Sequence, residues 1–265
     1  MDVKLYKPKS KVLAEYIVGF CFVNKGDEVK EYIIYPNNFT SVSITSRAAV
    51  YLRDGVLGIS SIEEGPVTVA YISQYNQPIQ LKYSSSPVDQ LVVFFKPYGV
   101  NHFILNIDDY LPEAFSTQFC PFEDLGPTLE CILTIPHRHV QLEVLELYLL
   151  SIFYKREEPA FYRMLEQVNQ GMSKKEIAEN NKISTEFIDI YFKGMIGKTI
   201  DEYNDIRDHR QLLHTDLVET DFELLFFDDL FVKESELLKR IEDPEYIDKI
   251  FSHLDFNPQR MWFVL

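Results

Sequence analysis

The residues able to do chemistry are few in this chain, and they are badly grouped for it. His137 and His139 flank Arg138, but no second cluster of ligating residues lies near them in sequence. Two histidines at the start of a helix are far more often surface residues than a metal site. His209 and His214 could share a helix face, but at a spacing that suits chelation poorly. Cys21, Cys120 and Cys131 are widely separated and odd in number. They read as reduced, buried thiols of a cytosolic protein, with no metal-binding or redox spacing. There is no Gly-x-Ser-x-Gly elbow, no phosphate-cradling glycine loop and no His-Glu-x-x-His. No catalytic residue, cofactor or metal site is expected, and the chain is not expected to be an enzyme.

The stretch that stands out is Gly171 to Tyr203, whose polar residues sit where helices begin and stop. Ser173 has Glu176 three positions on, the capping-box spacing, with Ile177 and Ala178 as the inner face of a short helix. Asn180-Asn181-Lys182 interrupts it, and Asn tolerates the left-handed turn required there. Ser184 then caps a second helix, Thr185 to Lys193, with Phe187, Ile188, Tyr191 and Phe192 at helical spacing. Gly194 and Gly197 follow, and glycine is where helices usually stop. Helix, short turn, capped helix is the outline of a helix-turn-helix, and equally of any two-helix hairpin.

This stretch resembles the first helix-turn-helix of the AraC/XylS transcription regulators. The matching positions are Ala178, Ser184, Ile188, Phe192, Gly197, Thr199 and Tyr203, with Ile200 where the family has Pro. The tail resembles a worn second copy, in Tyr246, Ile247, Lys249, Phe251, Asn257 and Pro258, with Asp255-Phe256 where a Gly is usual. The resemblance covers about the last hundred residues. It implies a first motif at about 173–193, a degenerate second at about 233–258, and double-stranded DNA as partner. Carried over by position, the DNA-binding candidates are Lys182, Ser184, Thr185, Glu186, Asp189 and Lys193, with Ile190 on the same helix. The family often has Arg at Ile190, Asp205 and Asp208, so three phosphate contacts are missing or reversed. In the second motif Glu242, Asp243, Glu245 and Asp248 face only Lys249, which points to a structural role.

Charge runs against strong DNA binding. The 265 residues carry 26 Lys and Arg against 41 Asp and Glu, a net charge of −15. From Gly171 to Thr215 there are seven basic and eight acidic residues; from Asp216 onward, five and thirteen. DNA affinity comes largely from neutralised phosphates, so a basic face is the normal requirement. A connected face of Lys174, Lys175, Lys182, Lys193 and Lys198 would favour a DNA reader, and an acidic covering a protein that has lost DNA contact.

Two domains are expected, in an α+β arrangement: a β-rich domain over 1–158 and an all-α domain over 159–265. Tyr16–Val23, Glu31–Tyr35, Ser41–Leu52, Val67–Ser73, Ile79–Tyr83 and Gln90–Phe95 are rich in β-branched and aromatic residues. Turn signals such as Asp54-Gly55 and Glu64-Gly65-Pro66 separate them, as in a small barrel or sandwich. A helix is expected from near Tyr98, then others over Leu125–Ile135, Arg138–Tyr154 and Phe161–Asn169, with the boundary in the charge run Lys155 to Glu158. The order Tyr6-Lys7-Pro8, Tyr35-Pro36-Asn37 and Phe95-Lys96-Pro97-Tyr98-Gly99-Val100 resembles the β-rich, cupin-like sensor half of many bacterial AraC-like regulators. That implies a small-molecule effector and a homodimer. His102 is the one histidine of the strand-rich residues 1 to about 110, so the multi-histidine site of an enzymatic cupin is not available. No run of about 18 apolar residues or signal-type start is present, so a cytoplasmic location without membrane contact is expected. Two functions follow: an AraC-like regulator with a sensing half, or a relative that has lost DNA contact and binds a ligand or a protein.

Overall fold

The computed structural model describes residues 2–26, 28–62, 68–73, 76–84, 87–104, 115–116, 122–215 and 232–233. The second motif expected at 233–258 lies outside the described residues apart from Lys233, as does Cys120. The chain is α+β. It begins with β1 (Asp2–Tyr6), α1 (Lys11–Tyr16), β2 (Ile17–Lys25), β3 (Lys30–Ile34), β4 (Thr40–Ser46) and β5 (Ala48–Arg53). It continues through β6 (Val56–Ser61), β7 (Thr68–Ser73), β8 (Ile79–Tyr83), β9 (Val88–Phe95), a 3-10 turn at Gly99–His102 and β10 (Phe115–Ser116). The helices α2 (Leu125–Thr134), α3 (Arg138–Ile152), α4 (Pro159–Asn169), α5 (Lys174–Asn181), α6 (Thr185–Ile196) and α7 (Ile200–Thr215) follow, with β11 (Val232–Lys233) beyond them.

The strands form two sheets, ordered β1-β2-β9-β4-β7-β10 and β11-β3-β8-β6-β5. All pairings are antiparallel except that of β6 with β8. The first sheet is covered on both faces, which explains why β9 reads as the nearly unbroken apolar run VDQLVVFF. Leu91, Val93 and Phe95 pack with Phe20, Phe22, Val42 and Ile44 against Leu13, Leu129, Leu145 and Leu149 of the helices. Val92 and Phe94 face the other way, against Leu57, Ile59, Leu81 and Tyr83 of the second sheet. The result is three layers: sheet, sheet, helices.

The sequence reading needs four corrections here. Ser41–Leu52 is not one strand: Arg47, at φ 49, breaks it, and the two halves pair in different sheets. Tyr16, read as the start of a strand, instead ends α1, a helix that Ser10 caps while the backbone N–H groups of Lys9 and Ser10 donate to the buried Glu146 carboxylate at 2.9 and 2.8 Å. The helix expected from Tyr98 is only one 3-10 turn. Strand β6 went unseen, its Val-Leu-Gly-Ile-Ser-Ser lacking clean alternation. No described helix is long and apolar enough to cross a membrane.

Candidate nucleic-acid interface

The helical half is built around a third apolar cluster. Helix α4 opens with Pro159 in its first turn, where the missing N–H costs nothing, and turns Phe161, Met164, Leu165 and Val168 inward. Helix α5 starts from a complete capping box: Glu176 N–H donates to Ser173 Oγ at 3.3 Å, and Ser173 N–H donates to Glu176 at 2.8 Å. The Ser173 hydroxyl and backbone N–H hold the Glu176 carboxyl below the usual range. Ile177 and Ala178 are buried, as expected.

The turn falls within Asn180-Asn181-Lys182, but no asparagine takes the left-handed conformation. The left-handed position is Lys182, at φ 56 and ψ 43, and Asn181 remains helical. Asn181 stays because its side chain is tied down: Nδ2 donates to Gln167 at 2.7 Å and to the Ile177 carbonyl at 2.8 Å, and Oδ1 accepts from Arg163 at 3.0 Å. The next residue must then make the reversal. Ser184 caps α6, accepting from Phe187 N–H at 3.1 Å. The helix runs past Lys193 and Gly194 to Ile196, and Gly197 ends it at φ 73. Ile188, Phe192 and Ile196 are buried against α4, with the Phe161 and Phe192 rings 5.1 Å apart. Helix α7 begins with a second capping box, between Thr199 and Glu202.

The reading helix presents Glu186, Phe187, Ile190, Lys193 and Gly194 outward, and Ile190 is 70 % exposed. Phe187 lies parallel to Tyr191, their ring centres 5.9 Å apart. Of the positions carried over, Lys182, Ser184, Glu186 and Lys193 are exposed and Thr185 is half-buried. Asp189 turns sideways, its carboxylate accepting from Lys174 at 2.7 Å. Lys174 also pairs with Asp201, so one ammonium ties α5 to α6 and to the start of α7. Burial opposes the Lys174 charge, but the two carboxylates outweigh it and raise its pKa. Lys198 is 1 % exposed and therefore absent from the surface. The five lysines do not form one connected basic face: Lys182 and Lys193 stay outward, and Lys175 lies 4.0 Å from Glu179. Glu176, Glu179, Glu186, Asp201, Asp205 and Asp208 are exposed around them.

The β-rich half is joined to this helical cluster through Tyr98. Phe95-Lys96-Pro97-Tyr98-Gly99 folds back on α1, with Lys96 N–H donating to the Tyr16 carbonyl at 2.8 Å. A Cβ on Gly99 would lie 2.2 Å from that same oxygen, so only glycine fits there. Tyr98 itself is left-handed at φ 66, and its ring enters the helical core 5.0 Å from Phe161. Two amides add to the joint: Asn101 donates to the Met195 carbonyl at 3.2 Å, and Asn38 to the Tyr203 carbonyl at 2.9 Å. His102 sits beneath, its Nδ1 accepting from Arg156 N–H at 3.1 Å. That places its proton on Nε2, which donates to the Tyr162 hydroxyl at 2.7 Å. Burial, helped by the Arg156 and Lys155 charges, lowers its pKa to about 4.

No known protein family matches the chain, and no curated protein does. Among solved structures, it is similar to the AraC-like transcriptional activator CuxR, at 12% identity over 81% of this chain and 87% of that one. The TM-score is 0.23, too low to carry any argument about fold or function.

Sequence reasoning missed Tyr98, His102 and Lys198 as joint residues. Tyr98 stood in the Phe95–Val100 run that resembles the family's sensor half, but nothing in the sequence marked it or His102 as part of a joint. Lys198, between a helix-ending glycine and a helix-capping threonine, read as surface and is buried.

Proposed function

We propose that this chain is a transcription regulator of AraC-like architecture, with a β-rich sensing half that sets a helix-turn-helix output half. The observation that carries the proposal is the local geometry of 173–203: two capped helices, a left-handed turn between them, and an amphipathic second helix with one face left open. In this reading Lys182 and Lys193 meet phosphates, and Ser184, Thr185 and Glu186 lie at the entering end of α6. Two copies pair through the outer face of α3, where Leu147 is 66 % exposed, together with the equally exposed Tyr154 just beyond its end. The β-rich half answers to a small molecule, and the protein works in the cytoplasm without catalysing a reaction.

A specific observation favours a second reading of the output. Phe187 and Ile190 occupy the centre of the open face, Asp189 and Lys174 neutralise each other, and Lys198 is withdrawn. Such a face suits a protein partner better than a phosphate backbone. Titration of the full chain with duplex DNA across a salt series separates the two. A regulator shows binding that weakens steeply with salt, with a slope reduced by about one unit for each of Lys182→Ala and Lys193→Ala. No binding at the lowest salt, with the protein folded, removes DNA as the partner.

A further inference from the structure

We propose that the solvent face of the second sheet carries a site for a neutral saccharide, with the ring of Tyr51 as its floor. Alternation along the strands decides which side chains share that face. Tyr32, Ile34, Leu57, Ile59, Leu81 and Tyr83 turn inward toward the first sheet, so the residues between them turn outward. Register then sets four outward positions in one row across four strands. Tyr51 pairs with Gly58, Gly58 with Lys82, and Lys82 with Glu31. The Tyr51 ring lies directly on Gly58: a Cβ there would be 2.0 Å from the ring carbon Cζ and 2.4 Å from the hydroxyl oxygen. Gly58 is therefore buried although it points to solvent, while Tyr51 above it stays 50 % exposed.

Covering a glycine explains where the ring lies, but not the polar set beyond it. The ring reaches from β5 across β6, which turns its tip toward Lys82 on β8. The Lys82 ammonium donates to Glu31 Oε1 at 2.6 Å, and Gln80 Nε2 donates to Glu31 Oε2 at 3.2 Å. Glu31, and more weakly Tyr51, raise the pKa of Lys82, so its charge is kept. Two donors thus hold the carboxylate in one orientation before any ligand arrives, which lowers the cost of ordering it. An ammonium and a carboxylate side by side cancel, so neither an anion nor a cation is favoured there. Neighbouring hydroxyls are favoured, because each can donate to Glu31 and accept from Lys82 or Gln80. A pyranose offers both parts of this match, an apolar C–H face for the Tyr51 ring and hydroxyls around its rim. Strands stand about 4.8 Å apart, so Gly58 and Glu31 are separated by roughly 10 Å, a span that one or two sugar rings cover.

The site lies on the second sheet and depends on neither DNA contact nor effector sensing, so it is tested by itself. Full-length protein labelled with nitrogen-15 is titrated with cellobiose, maltose and lactose, and its amide shifts are followed. Parallel titrations use sorbitol (hydroxyls without a ring face) and adenine (a flat ring without hydroxyls). The expected result is saturable one-site binding of at least one disaccharide, about tenfold or more tighter than sorbitol or adenine, with the shifts centred on Tyr51, Lys82 and Glu31. Tyr51→Leu still covers Gly58 but removes the flat face, and weakens binding by about tenfold or more; Tyr51→Phe stays within about threefold. Glu31→Gln, the second variant should Tyr51→Leu fail to fold, weakens binding by about threefold or more with an unchanged circular dichroism spectrum. No saturable binding of any disaccharide, tighter binding of adenine, or undiminished binding by the folded variants overturns the proposal and leaves Tyr51 as a cover for Gly58 alone.

Discussion

At the scale of single residues, two buried bases make stability rise with pH, each in its own window. His102 titrates near 4 in the folded chain and near 6.5 when unfolded. Between those values the unfolded chain binds a proton that the folded chain refuses, so stability falls as pH drops from 6.5 toward 4. The loss amounts to about 2 kcal/mol by pH 5. Urea denaturation at pH 7 and pH 5 should show it, and His102→Gln, which keeps a donor toward Tyr162, should reduce the difference by that amount. Lys198 acts in the same sense, in a higher pH window. Burial lowers its pKa to about 8 from 10.5, so its charge weighs against folding at neutral pH, and that penalty fades as pH rises from 8 toward 10.5. Lys198→Met should therefore stabilise the free protein at pH 7 by roughly 3 kcal/mol, with the gain shrinking at pH 10. An unchanged or lower midpoint at pH 7 would mean that the lysine is satisfied in solution.

At the scale of elements, α5 and α6 are set by their ends. Ser184→Ala removes the acceptor for Phe187 N–H and should cost about 1 kcal/mol. Lys182 holds a left-handed conformation that glycine adopts freely, so Lys182→Gly should stabilise the fold by about 0.5–1 kcal/mol while removing an exposed charge. That pairing makes Lys182→Gly a clean probe of DNA contact, since weaker binding could not be blamed on unfolding. The capped starts at Ser173 and Ser184 and the stop at Gly197 were legible in the sequence because each depends on atoms within a few residues. The left-handed residue is Lys182 and not one of the asparagines because Gln167 and Arg163, from another helix, hold Asn181 in the helix.

At the scale of the whole molecule, the two halves meet through Tyr98, the His102–Tyr162 hydrogen bond and a few amides. Tyr98 belongs to the helical core although its backbone leaves the last long strand of the first sheet. Truncating a buried ring of this size costs about 3–5 kcal/mol. Tyr98→Ala should accordingly split a single calorimetric unfolding transition into two, with the helical half melting first. A variant that still melts as one unit would show that Asn38, Asn101 and the His102–Tyr162 hydrogen bond suffice to hold the joint.

The division between what could be read directly and what could not follows the range of the forces involved. Alternation, capping and glycine stops act over a handful of residues, so the β-rich start, the helical end and the two capped helices were visible in the bare chain. The crossing at Arg47 from one sheet to the other, the burial of Lys198 and the inward turn of Lys174 and Asp189 were not. Each is settled by groups far away in sequence that must share a limited interior: strands competing for two sheets, and charges competing for the few partners the packed helices leave open. A lysine on a short link reads as surface until the neighbours that enclose it are in place.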